Sequence, residues 1–136
     1  MARFKTLAAV AVFLFGTTFL WLMPSFLGSG TTAHGAIWSV VQVLVVATVV
    51  ALTLTAWGMH RASAWWKPVA LAGALVGMAV LPLWWIAVSS VSGVTNVAAN
   101  LVLHAMGIAL LLMVLLVPAL ARGLDRRLGA HSGGLA

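Results

Sequence analysis

The chain has 136 residues, 64% hydrophobic and 6% charged, with a mean hydropathy of +1.19. A soluble domain carries roughly 25% charged residues, so this chain cannot cover its own surface with polar groups and its solvent must be lipid. It has no Cys, which excludes disulfides, thiolate metal sites and Cys nucleophiles. Asp125 is the sole acid, and the formal charge of +6 is spread over segment ends rather than gathered into a patch that would grip nucleic acid.

Four hydrophobic segments follow in order, at about residues 6–27, 36–59, 68–89 and 96–121, each near the ~20 residues that cross a bilayer as helix. The first, TM1, starts like a signal peptide. Its apolar run is too long for one and no A-x-A site follows, so we read it as a span. It carries Thr17 and Thr18. The link "GSGTTAHG" leads into TM2, with Thr31 or Thr32 as its cap and His34 in its first turn. TM2 carries Gln42. His60 borders Arg61 at its far end and reads as interfacial.

TM3 opens with Pro68 in its first turn and contains the glycine pair "GALVG", Gly73 and Gly77. That spacing lets another backbone approach closely, inside the bundle or in a second copy. Pro82 removes a backbone hydrogen bond within the span, just before Trp84 and Trp85. TM4 begins with "TNVAANLVLHAMG", where Asn96, Asn100, His104 and Gly107 fall on one stripe of a helix. We place residues 1–121 in one four-helix domain and expect 122–136 to be a disordered basic tail holding His131, with Asp125 paired to Arg122 or Arg126.

Short links give an all-α, up-down-up-down bundle. Arg3, Lys5, Arg61, Lys67, Arg122, Arg126 and Arg127 all fall on one side, so the positive-inside rule puts both termini in the cytoplasm of a cell-membrane protein. The seven Trp residues read mostly as interfacial belts. Gln42 and His104 lie roughly 9 and 12 Å below the outer surface. With Asn96, Asn100, Thr17, Thr18 and Trp84 they suggest an outward polar pocket. The alternative is helix-joining hydrogen bonds, worth about 0.6–2 kcal/mol each.

The stretches "AHGAIWSVVQVLVVA" and "LHAMGIALLLMVLL" resemble the His-bearing helices of small membrane haem proteins, in outline one half of haem A synthase. The resemblance covers TM2 and TM4 only. It implies His34 and His104 as axial ligands of a haem b, with Gln42 beside the cofactor. The chain departs from that outline in having no Glu to partner a histidine, and His34 and His104 differ in depth by more than a turn.

Carboxylate-coupled export needs a membrane-embedded acid and finds none, and Ser–His–Asp chemistry fails because Asp125 falls on the opposite side from His104. There is no Gly-rich phosphate loop. The sequence therefore points first to a non-enzymatic accessory subunit that acts by helix contacts in the bilayer, with other membrane subunits or a second copy as partners. A haem- or quinone-binding electron-transfer protein, and a small-molecule binder or transporter, are the alternatives.

Overall fold

A computed structural model describes residues 2–24 and 35–128 of the chain. It is all-helical over that range. α1 (Ala2–Thr18) tightens into a 3₁₀ turn (Phe19–Leu22), and α2 (Ala36–His60), α3 (Trp66–Ser89), α4 (Val97–Leu116) and α5 (Pro118–Leu128) follow. The first helix with its 3₁₀ turn, and α2 to α4, are long and apolar enough to cross a membrane. Lengths of 20 to 25 residues give about 30–37 Å of helix, which matches a hydrocarbon core of about 30 Å.

Three boundaries follow from local chemistry. Gly35 precedes α2 at φ 112°, a conformation that costs glycine little. α2 closes in a Schellman motif: Ser63 N–H donates to the Gly58 carbonyl at 2.9 Å and Ala62 N–H to that of Met59 at 3.1 Å. Ala62 occupies the left-handed position there, at φ 54°. The third boundary corrects an expectation. The fourth span does not run from 96 to 121. α4 stops at Leu116, Val117 is extended (ψ 113°), and Pro118 starts a new helix. A residue before proline is pushed out of the α region, and proline cannot supply the next backbone donor. Nor is the tail irregular from 122, because α5 continues to Leu128. Pro82, by contrast, lies within a continuous α3.

Two buried clusters organise the packing. One gathers Phe19, Leu22, Trp38, Val41, Val45, Val80, Trp84 and Ile108. The other gathers Ala9, Ala56, Met59, Trp66, Ala70 and Leu128. Trp38, Trp66 and Trp84 are thus core residues, whereas Trp21, Trp57, Trp65 and Trp85 are exposed. The glycine pair serves this core. A methyl on Gly73 would lie 3.0 Å from Ala51 Cβ, and one on Gly77 would lie 3.1 Å from Phe19 Cζ and 3.2 Å from Thr48 Cγ2. The small face of α3 is therefore spent on α2 and on the 3₁₀ turn.

α2 and α3 share the widest packing, followed by α1 with α2 and α3 with α4. α4 buries only His104 and Ile108 fully. The α1 and α4 backbones barely meet, and α5 turns back to touch α1.

Candidate functional site

His104 sits one turn after Asn100 on α4 and is completely buried. Its Nδ1 lies 2.6 Å from the Asn100 carbonyl oxygen. A carbonyl only accepts, so Nδ1 carries the hydrogen, and a ring with one hydrogen keeps its lone pair on Nε2. Nε2 is buried and has no hydrogen-bond partner. The ring packs edge-on against Phe19 at 4.6 Å, with Phe15 at 6.5 Å. Such an imidazole, held by a backbone carbonyl with its other nitrogen bare, has the arrangement of a metal-ligating histidine. Among the described residues no group of three or more His, Cys, Asp or Glu could hold a metal ion.

The other polar residues do not join it in one hydrogen-bonded cluster. Thr17 and Thr18 donate to the carbonyls of Leu14 and Phe15, 2.7 and 2.6 Å away in their own helix. This is the usual outlet for a hydroxyl in an apolar helix. Asn96 is exposed and left-handed at φ 59°, just before α4 begins. It therefore leaves the buried stripe that Asn100 and His104 were expected to extend. Asn100 and Gln42 are half-buried. Trp84 is fully covered, and its indole N–H donates to the Leu22 carbonyl at 2.9 Å. That bond satisfies an acceptor at the end of the 3₁₀ turn. Trp38 Nε1, like His104 Nε2, is buried without a partner. His34, Thr31, Thr32 and His131 lie outside the described residues, and so does the proposed ligand pairing of His34 with His104.

The more open feature lies between α1 and α4. A cleft of about 350 Å³ is lined by Ala8, Ala11, Val12 and Phe15 on one side and Gly107, Leu110, Leu111 and Val114 on the other. Met59 and Trp66 contribute from within the bundle, and Leu124 of α5 lines it as well. The cleft runs from Ala8 to Phe15, seven residues and so roughly 10 Å. Phe15 stops it at one end: a methyl on Gly107 would lie only 2.1 Å from the Phe15 ring. His104 lies beyond that ring. His60 lines a separate, shallower groove between α1 and α2 with Phe13 and Trp57.

α5 closes the other end. Leu128 is fully buried against α1, α2 and α3, and Leu124 packs beside it. Arg127 lies over the Phe4 ring at 5.5 Å. Asp125 does not pair with Arg122 or Arg126, as expected from their proximity in sequence. Its Oδ2 meets Lys67 Nζ at 2.5 Å, because the turn at Pro118 folds α5 back towards the first turn of α3. Arg126 Nε instead reaches the Arg122 carbonyl at 3.4 Å. Sequence reasoning passed over the cleft and α5. The available signals were the small residues Ala8 and Ala11 opposite Gly107, and the Leu124–Leu128 spacing after Pro118.

No known protein family, curated protein or solved structure matches this chain.

Proposed function

We propose that the chain is a multi-pass protein of the cell membrane that binds one apolar chain of a bilayer amphiphile between α1 and α4, without catalysing a reaction on it. The bundle runs up-down-up-down with both termini cytoplasmic. Arg3 and Lys5 in the first turns of α1, Arg61 and Lys67 where α2 passes into α3, and Arg122, Arg126 and Arg127 on α5 support this orientation. The observation that carries the binding reading is the α1–α4 cleft, about 350 Å³ and lined almost wholly by apolar side chains. That volume is within the range of ligand pockets, roughly 300–1,000 Å³. Its rim residues Ala11 and Leu110 are exposed where lipid would surround the helices. An accessory-subunit role through Gly73 and Gly77 has less support, since both glycines are engaged inside the bundle.

The test uses a phospholipid carrying a photoreactive diazirine on one acyl chain, in vesicles holding the full chain. Labelling should concentrate on Ala8, Val12, Leu111 and Val114, and Ala11→Phe should reduce it several-fold while leaving thermal stability unchanged. Labelling spread evenly over all lipid-facing helix surfaces, indifferent to Ala11→Phe, would remove the binding reading.

One observation favours a second reading, a b-type haem or quinone protein: the bare Nε2 of His104. In it His104 ligates or hydrogen-bonds the cofactor, with His34 as the other candidate ligand and Gln42 nearby. Protein from haem-supplied cells should then show a Soret band that sharpens on dithionite reduction and disappears in His104→Ala. A featureless visible spectrum rejects the haem form of this reading.

A further inference from the structure

We infer that the occupant of the cleft is an anionic phospholipid, its phosphate held between Lys5 of α1 and Arg127 of α5; this rests on the cleft-binding reading above. The chain has seven Lys and Arg but one acid. Asp125 is already paired to Lys67, and its other oxygen is buried. Six basic side chains, the seven less Lys67, therefore have no acidic side chain left to meet. Two of these six, Lys5 and Arg127, lie one helical step from residues that line the cleft.

Lys5 occupies the same helical stripe as the cleft residues Ala8, Val12 and Phe15, at steps of three, four and three. It is the next polar position along that stripe beyond the apolar lining. Arg127 is one helical step of three after Leu124, which lines the cleft. Its guanidinium lies over Phe4, the immediate neighbour of Lys5. The two cations thus come from the two helices that meet at the α5 end of the cleft. The buried Leu128 anchors α5 there, and the Lys67–Asp125 pair ties it down. An apolar groove with a cation one helical step beyond its lining on each of two helices matches a lipid with one acyl chain in the groove and a phosphate at the membrane surface. Arg122 and Arg126 project from α5 on the face away from Leu124, and Arg61 stacks over Trp57 elsewhere, at 4.9 Å. They provide controls for diffuse surface charge.

Native mass spectrometry of the full chain in mild detergent, titrated with phosphatidylglycerol or phosphatidylcholine of identical acyl chains, tests this. Each basic residue near an anionic surface is worth about a fivefold change in affinity. Phosphatidylglycerol should therefore bind more tightly than phosphatidylcholine by an order of magnitude or more. Lys5→Gln with Arg127→Gln should erase that preference, whereas Arg61→Gln with Arg122→Gln should keep it. Ala11→Phe should weaken both lipids. Equal binding of the two lipids to the unaltered chain, with Ala11→Phe still weakening both, would overturn the assignment of an anionic lipid and leave the cleft standing. Equal loss of preference in the control pair would also overturn it, in favour of diffuse charge. Binding of both lipids unaffected by Ala11→Phe would bring down the cleft reading itself.

Discussion

Around Trp84, parts of four helices close on one another; around Ala8 and Gly107, two helices leave a gap. The closed region is filled by Phe19, Leu22, Trp38 and Trp84, and it puts the Leu22 carbonyl within reach of the Trp84 indole. The open region has alanine and glycine on its α1 and α4 walls where the closed one has aromatic rings, with Phe15 reaching across one end and Trp66 behind it. Lipid is as apolar as either wall, so burial alone does not pull α1 onto α4. In a bilayer helices close where shapes interlock and polar groups pair. Where neither occurs they part and leave a groove open to lipid.

The largest break in that contrast should come from Trp84. Trp84→Ala leaves a cavity in the closed region and orphans the Leu22 carbonyl, and we expect a loss of about 3–5 kcal/mol. Trp84→Phe keeps most of the volume and removes only the donor, so about 1–2 kcal/mol should go. Unfolding midpoints in detergent would rank the two. If both variants lost the same amount, the indole bond rather than packing would account for the closure.

Gly107→Ala acts at the boundary between the regions. The added methyl would lie 2.1 Å from the Phe15 ring, so the ring must swing or α4 must move outward. Overpacking of this kind costs about 1–3 kcal/mol. Adding Phe15→Leu should recover part of that loss, because the shorter side chain vacates the methyl's position. A Gly107→Ala variant as stable as the original, with cleft labelling unchanged, would show that Phe15 does not limit the cleft.

Much of this architecture is legible in the sequence because lipid leaves few choices. Long apolar runs in a membrane must be helical to satisfy their backbones, and the four helices long and apolar enough to cross one are those runs. What escaped was how they meet. Hydrophobic periodicity is nearly silent when every face of a helix is oily, so the stripe through Asn96, Asn100 and His104 looked like the buried face. His104 is buried, but Asn96 precedes the helix and faces outward. The threonines were poor guides, since Thr17 and Thr18 satisfy themselves locally. Pro118 was readable: proline forces the residue before it out of the helix, and the amphipathic run behind it could have been seen as a helix of its own. The cleft is written in absences, in side chains too small to reach across, which no motif describes.

The smallest effect tests the link that joins the two best-packed helices. Ala62 ends α2 in a Schellman motif at φ 54°, where a β-carbon is crowded and glycine is favoured. Left-handed backbone costs a non-glycine residue about 1–2 kcal/mol, and the greater entropy of unfolded glycine offsets some of that gain. Ala62→Gly should therefore raise stability by about 0.5–1 kcal/mol, read as a higher unfolding midpoint. Met59 and Trp66 line the α1–α4 cleft from this side, but the change at Ala62 removes only its own β-carbon, so lipid labelling there should not change. A gain in stability together with altered labelling would mean that the open and closed regions are coupled, and that the gap between α1 and α4 depends on how firmly α2 holds α3.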